Sequence, residues 1–587
     1  MSESVHYSKP RIPKWLWGLI SIGMMSLYVY GVQGYNELNN FLNDDAFISF
    51  RYADQWAKHG EIVYNLGERV EGYTNFLWVA LMAWVIYLGG EVTQWSLYLG
   101  LCFGGGTLVW LAYCMPRFLS STHLLPSTSK STFHASLCTW LSLFLLASSP
   151  AYTCWSSGGL EVTLFTFLLT VSVLGACYIY SIALKSSWVY MIIGIVFALT
   201  SMTRPEGLLF IGLMGIFRCV HLVKVRSKPY LYDYAIVLGF SLLYLPYFYW
   251  RYHYYGYYFP NTYYVKTGAA LLWQPGLRYI LDFIVKHPWV VLAFWMMGKA
   301  VYQTRSSQSQ HNAVTGQTPE QITGQTKQQG FAIHLYIISV LGLFILHVIK
   351  IGGDFMALHR FLVPITPLLA CYASVCLLSI IQSVSRIQST SRFRHLYSAT
   401  CVGAMMILCV LSNQHHQQQA LKVGSQAGVD SIGWLKQFSK QCAAIGRWIN
   451  HHTSPDTRLA TTAAGAIAFY SDRYTLDLLG LNDEWIAHNV KPRSNRPGHG
   501  KSAPFSYPLK KQVDYLIYHP TIQVSKPRAH PKFKRALSPW AYQWRTYHIK
   551  DMQPHWWGVW VKNSPKNQLK HTPKSTPQNL PKNVPKK

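Results

Sequence analysis

Trp15-Leu16-Trp17-Gly18-Leu19-Ile20-Ser21-Ile22-Gly23-Met24-Met25-Ser26-Leu27-Tyr28-Val29-Tyr30-Gly31-Val32 carries no charge, and Asn43-Asp44-Asp45-Ala46-Phe47-Ile48-Ser49-Phe50-Arg51-Tyr52 follows soon after it. A run of this length and composition reads as a membrane-spanning helix. Adjacent aspartates just past such a helix are costly to desolvate unless they are paired, metal-bound or in use. Of the 15 acidic residues in the first 413, eight lie in 34–94 (Glu37, Asp44, Asp45, Asp54, Glu61, Glu68, Glu71 and Glu91). Carboxylates are scarce in the rest of that half.

The chain around this stretch is 50% hydrophobic and 13% charged, where a soluble protein carries about 25% charged residues. Apolar runs recur at 95–115, 135–151, 161–183, 189–203, 207–222, 232–250, 288–303, 331–350, 360–381 and 397–413. The class is therefore a polytopic α-helical membrane protein, with about eleven transmembrane helices once the first run is counted. No small-residue cleavage site follows that first run, so it does not read as a signal peptide. Lys9, Arg11 and Lys14 place the N-terminus in the cytoplasm and Asp44 and Asp45 outside.

The run 74–88 decides the topology. If it crosses, Lys224, Arg226, Lys228, Arg386, Arg392 and Arg394 all fall outside, against the positive-inside rule. At 15 residues it suits an interfacial or re-entrant helix better, leaving 34–94 as one large external loop. Ala46, Phe50, Ala53 and Ala57 keep helical spacing, and Gly60 can end that helix, which is expected to lie along the membrane surface. The Gln-rich segment 304–330 reads as a flexible cytoplasmic linker. Residues 414–561 are expected to form an external α/β cap domain, with a helix near 445–450 and strand or turn material at 459–470, 474–479 and 513–518. The tail 562–587, with seven lysines and no acid, reads as disordered. Residues 414–587 hold 26 Lys and Arg against 8 Asp and Glu; such a surplus is a solvated basic face or a contact for anionic lipid or polymer. No CxxC pair or His/Cys spacing suggests zinc or a disulfide framework.

No phosphate-cradling P-loop and no GxGxxG on a cytoplasmic strand is present, which argues against a cytosolic nucleotide donor. A reactive group at the outer leaflet would be a lipid-linked phosphate. It needs a carboxylate base, cations for the phosphate and room for a tail. Asp44 and Asp45 offer the base; a helix N-cap accounts for one of them well and for two poorly. Arg204, Lys266 and Arg360 offer the cations, with Arg51 and His359 behind them. Snorkelling to headgroups suits Lys266 best and Arg204 least, because Pro205 breaks the helix where that charge sits. Glu206 can pair with Arg204, and Glu161 and Asp354 can be ion-pair partners. The residues leave open whether Mg²⁺, Mn²⁺ or Ca²⁺ takes part; a cation, if used, would sit on Asp44 or Asp45.

Asp44 through Tyr52, followed by Tyr64-Asn65-Leu66-Gly67-Glu68-Arg69-Val70-Glu71-Gly72-Tyr73-Thr74-Asn75, resembles the first loop of the terminal arabinofuranosyltransferase family of GT-C membrane glycosyltransferases. Ser157-Gly158-Gly159-Leu160-Glu161, Thr203-Arg204-Pro205-Glu206-Gly207, Pro260-Asn261-Thr262 and Gly352-Gly353-Asp354-Phe355 are similar to its later motifs. So are Ala464-Gly465-Ala466-Ile467, Asp477-Leu478-Leu479-Gly480-Leu481-Asn482-Asp483 and Gly498-His499-Gly500-Lys501. Gly159 stands where a serine is expected, and Gly500 where an acid is usual.

The resemblance implies a GT-C fold with a periplasmic cap, in a bacterial inner membrane. It implies a polyprenyl-phosphate-linked sugar as donor, a glycan acceptor, the lipid bilayer as surroundings and no nucleic acid partner. The family's acidic pair falls on Asp44 and Asp45. Asp44 is read as the base and Asp45 as its support, with Asn261, Asp477, Asn482, Asp483 and His499 toward the acceptor. A flippase of lipid-linked glycans would also explain spans and intramembrane charges. It gives no reason for a paired external carboxylate, and no repeated half is seen. A non-catalytic assembly protein would need no convergence of polar groups.

Overall fold

The computed structural model describes residues 14–36, 41–122, 131–182, 184–224, 228–266, 272–314, 321–387, 391–426, 428–494, 496, 499–550, 552 and 554–563. The chain divides into two compact units, Met1–Ser439 with Leu479–Ser502, and Lys440–Leu478 with Ala503–Lys587. The expected boundary at 413/414 is thus displaced, and an arm from the expected cap, Leu479–Ser502, belongs to the helical unit. The tail beyond 563 lies outside the described residues.

In the first unit, α1 (Lys14–Asn36) leads to α2 (Ala46–His59) and α3 (Phe76–Tyr87). Then come α4 (Val92–Ser121), α5 (Ser131–Ala147), the short α6 (Pro150–Trp155), α7 (Val162–Ser181), α8 (Ser187–Thr203) and α9 (Gly207–Lys224). They continue with α10 (Leu231–Tyr255), α11 (Asn261–Lys266), α12 (Trp273–Lys286), α13 (Trp289–Val314) and α14 (Gln321–Lys350). A 3-10 turn at Arg360–Ile365 opens α15 (Thr366–Ile387), and α16 (Ser391–Leu421) follows.

A helix covers each of the eleven apolar runs. Among the described residues five are long and apolar enough to cross a membrane alone: Val92–Ser120, Val162–Ser181, Leu231–Tyr255, Gly330–Lys350 and Arg360–Ser383. Trp273–Lys286 and Trp289–Gln303 pass together, bent by 99°. Pro288 sits at that bend, where its missing N–H and its ring oppose a continuous helix. The segment expected as a flexible linker is helical up to Val314 and again from Gln321, while 315–320 lie outside the described residues.

The run 74–88 folds as α3, with 12 residues. At 1.5 Å per residue that is about 18 Å, short of a hydrocarbon core of about 30 Å. Gly60 closes α2 in the left-handed region at φ 75°, which costs a glycine little. α2 packs within the protein along most of its length. Ala46 to Gln55 are all buried, because its polar residues find partners in the protein.

The second unit holds a five-stranded mixed sheet. Its strands are β3 (Arg458–Thr461), β4 (Tyr474–Asp477), β5 (Tyr515–Gln523), β6 (Tyr542–His548) and β7 (Trp556–Lys562), ordered β4-β3-β5-β7-β6. β1 (Ser425–Gln426) and β2 (Val429–Asp430) make a separate hairpin in the first unit. β3 is parallel to both β4 and β5, and β7 is antiparallel to β5 and β6. The helix α17 (Ile432–His452) covers the expected 445–450. The stretch 459–470 is a strand followed by the helix α18 (Ala466–Ser471). Its core includes Leu459, Ala460, Ile467, Leu516 and Trp557, all buried.

Candidate active site

The acidic pair is presented by a local device. Asn43 Oδ1 accepts from the Asp45 N–H at 2.9 Å, and the Asn43 N–H donates to the Gly158 carbonyl at 3.2 Å. Asn43 thus makes the turn that precedes α2, and the Asp45 side chain makes no capping bond to the helix. Gly159, at φ 78°, lies against this turn; a Cβ there would stand 2.7 Å from Leu42 Cδ2 and 3.1 Å from the Ala46 methyl. A serine at that position would push the loop away from the aspartates.

Pro205 restricts Arg204 to extended backbone. α8 accordingly ends at Thr203, with Arg204 at φ −152° and ψ 135°. Its guanidinium donates from Nη1 to Glu161 Oε1 and from Nη2 to Glu206 Oε1, each at 3.1 Å. Its Nε has no partner among the described residues. Glu161 is held in turn by Asn75 Nδ2 at 2.9 Å. Glu206 also meets His347 Nε2 at 3.3 Å. Arg360 grips Asp354 with two bonds, Nε to Oδ2 at 2.8 Å and Nη2 to Oδ1 at 3.2 Å. The Phe361 ring lies 5.3 Å from the Arg204 guanidinium and 4.8 Å from that of Arg360, and Trp155 lies 5.5 Å from Arg360.

Lys266 ends α11 and makes no hydrogen bond or ion pair among the described residues. The charges that act on it are Arg204, Arg360, Glu206 and Asp45. Withdrawal of its ammonium from water, then the two guanidiniums, pull its pKa below the ordinary lysine value. Asp45 feels Arg360, His499, Asp354 and Lys266. Burial pushes its carboxyl above the ordinary value, and the cations around it oppose that shift without cancelling it.

Asp45, Arg204, Lys266, Arg360, Glu161, Glu206, Asp354 and His499 therefore act on one another in one cluster. His499 also packs edge-on to Phe355 with ring centroids 4.8 Å apart. Arg51, His359, Asn261, Asn482, Asp483 and Asp477 make contacts of other kinds. Arg51 is buried, with its Nε bonded to the Tyr64 carbonyl at 3.1 Å. It pins the first loop, because a guanidinium inside a packed helix takes the nearest carbonyl. His359 pairs with Asp282 at 2.9 Å and packs on Tyr279 and Phe283. Its left-handed backbone, φ 48°, accompanies a ring direction different from that of its neighbour Arg360.

Asn261 Nδ2 donates to the carbonyls of Gly480 and Leu481, both at 2.9 Å. Asn482 Oδ1 accepts from the Tyr52 hydroxyl at 3.1 Å. Asp483 caps the helix α19 (Glu484–Asn489) by accepting from the Ile486 N–H at 2.8 Å. These three hold the arm in the first unit. Asp477 is buried in β4 of the second unit. Among the described residues no group of three or more His, Cys, Asp and Glu could hold a metal ion.

His347, Asn75 and Phe361 are the participants that sequence reasoning missed. His347 had a usable signal, an ionisable side chain inside the apolar run 331–350. Asn75 had one too, as the last residue of the first-loop motif; Phe361 had none.

A domain of unknown function, DUF8728, matches residues 432–564. The chain is 28% identical over 354 residues to the terminal beta-(1->2)-arabinofuranosyltransferase of Corynebacterium glutamicum, a match that covers 56% of this chain and 47% of that protein. The chain thus spans about half the length of the curated relative it matches. Crystal structures of ArnT from Cupriavidus metallidurans superpose with TM-scores of 0.53 bound to undecaprenyl phosphate and 0.51 in the apo state. Identity is 10% in both; coverage is 94% of this chain and 98% of ArnT for the first, and 93% and 98% for the second. The chain has the fold of the GT-C membrane glycosyltransferases and, along a little over half of its length, resembles a terminal arabinofuranosyltransferase.

Proposed function

We propose that this chain is an inverting glycosyltransferase that moves a sugar from a polyprenyl-phosphate donor to a cell-envelope glycan or lipid on the outer face of the membrane. Arabinofuranose is the first donor sugar to test, given the relative it matches, and the GT-C fold is shared with a protein crystallised with undecaprenyl phosphate. The observation that carries the reading is the Asp45 carboxyl set against Lys266 and Arg360, with Arg204 beside them.

In this reading the base is a carboxylate of the Asp44 and Asp45 pair, and it is taken as that of Asp45, on which Arg360, His499 and Lys266 act. Its carboxylate takes the proton of the acceptor hydroxyl. The hydroxyl oxygen attacks the anomeric carbon from the face opposite the phosphate, and the carbon–oxygen bond to phosphate breaks. The phosphate leaves with the electron pair, and Lys266 meets its new charge. Arg204 and Arg360 are already held by carboxylates, so they supply a fixed field that needs no reorganisation. Eleven crossings and an external sheet domain belong to the same proposal. A divalent cation, if used, would need donor phosphate oxygens to complete a set begun by Asp44 and Asp45.

The test is transfer from a radiolabelled polyprenyl-phosphoryl arabinofuranose to short oligosaccharides by the purified full chain. Release of polyprenyl phosphate with label in the product supports the proposal. Movement of the intact lipid across a vesicle without release would make the chain a flippase instead.

A further inference from the structure

The connection from α10 to α11 and the arm helix α19 share an aromatic cluster that the chemistry above does not use. Tyr257 stacks on His488 with centroids 4.8 Å apart, and Tyr264 lies 4.3 Å from the same imidazole. Phe259 stacks on Tyr263 at 4.5 Å. The Tyr257 hydroxyl donates to Glu484 Oε1 at 2.5 Å. Despite these contacts Phe259 is 50% exposed, Tyr263 46% and Trp485 43%. Trp485 and His488 are three residues apart on α19 and so share a face, as Tyr263 and Lys266 do on α11. The exposed rings therefore begin one helical turn from the ammonium that feels Asp45.

Exposed aromatic rings grouped on neighbouring elements mark binding sites. Its polar groups select the occupant. A polyprenyl tail offers nothing to the Glu484 carboxylate or to the tyrosine hydroxyls. A sugar offers both what the rings need, C–H faces for stacking, and what the polar groups need, hydroxyls. We infer that this surface is the acceptor subsite and holds a carbohydrate chain, its rings stacked on Phe259, Tyr263 and Trp485 and its hydroxyls bonded by Glu484 and His488. The inference rests on the glycosyltransferase reading and adds where the acceptor lies.

The experiment compares Phe259→Ala, Tyr263→Ala and Trp485→Ala in the full chain, with Trp485→Phe as the conservative control. Steady-state kinetics are run with polyprenyl-phosphoryl arabinofuranose and oligomers of arabinofuranose, mannose and N-acetylglucosamine. Binding of the same oligomers is followed by saturation-transfer NMR. Each alanine variant is expected to raise the KM for the preferred oligomer about tenfold, a lost stacking contact's worth, with kcat and donor KM within about twofold. Its NMR signal should fall in parallel, and Trp485→Phe should recover most of both. A raised donor KM would make the surface a tail groove. Unchanged kinetics and oligomer binding would make it a bilayer contact. Either result overturns the inference while wild-type transfer still stands; absence of wild-type transfer would instead overturn the reading beneath it.

Discussion

Arg251 and Arg204 both meet glutamates within the helical unit, yet the two arrangements differ in what they leave over. Arg251 Nε lies 2.9 Å from each Glu71 oxygen, its Nη2 lies 2.8 Å from Oε2, and its Nη1 donates to the Tyr258 carbonyl at 3.0 Å. One cation meets one anion, both buried. Arg204 is shared between Glu161 and Glu206 and stands beside Lys266 and Arg360, while each arginine has one buried nitrogen without a hydrogen bond among the described residues, Nε of Arg204 and Nη2 of Arg251. The first arrangement is closed and ties the first loop to the end of α10. The second gathers three cations, and in the proposed reaction a phosphate would join it. Ion pairing alone therefore does not separate the two arginines; the neighbouring Lys266, which makes no ion pair among the described residues, does.

The contrast is best broken at Asp45. Asp45→Asn keeps the side-chain shape and should cost about 10²–10⁴ in turnover if the carboxylate is the base. Its thermal stability should stay level or rise, because burial disfavours the charged form that the variant removes. In the wild type the rate should fall as pH drops through a pKa above the ordinary aspartate value of about 3.9, and Asp45→Asn should lose that acid limb. Full turnover in Asp45→Asn at normal expression would end the catalytic assignment.

Arg251→Ala should act on the fold instead. Removing one partner of a buried pair costs about 3–5 kcal/mol, read as a lower unfolding temperature in detergent. A folded but inactive Arg251→Ala would show that the closed pair also serves the reaction. Lys266→Ala should do the reverse. The loss of a charge-assisted phosphate contact, about 1.5–3 kcal/mol, should appear as weaker donor binding and slower turnover, with unfolding unchanged. A drop in unfolding temperature would mean that Lys266 is committed after all. The smallest effect is expected from Asp44→Asn, within about tenfold in rate, since that variant keeps the side-chain size and leaves the Asp45 carboxylate in place. Partial rescue of that variant by excess Mg²⁺, Mn²⁺ or Ca²⁺ would assign Asp44 to a cation.

Much of the helical unit was legible because its signals are local. The charge parity of the loops argued against a crossing at 74–88, and α3 is too short to make one. Pro205 announced the helix break at Arg204, and Gly60 the end of α2. Arg51 and His359 misled for a shared reason. Each lies beside a true motif, yet burial in a helix and a left-handed backbone turn their side chains to Tyr64 and Asp282.

The arm shows where local reading stops. Asn482 and Asp483 sit in motif-like sequence and were read toward the acceptor; what that reading could not show is that one accepts from Tyr52, 430 residues away, and the other caps α19. The sequence by itself determined the membrane class, and it singled out the adjacent acidic pair and the candidate cations, since apolar run length, adjacent charge and proline breaks act over a few residues. Tertiary structure alone decided that Lys266 makes no ion pair among the described residues, that it acts on Asp45, and that Leu479–Ser502 folds with the helical unit. Those outcomes depend on pairings between residues hundreds of positions apart, whose energies no local pattern encodes.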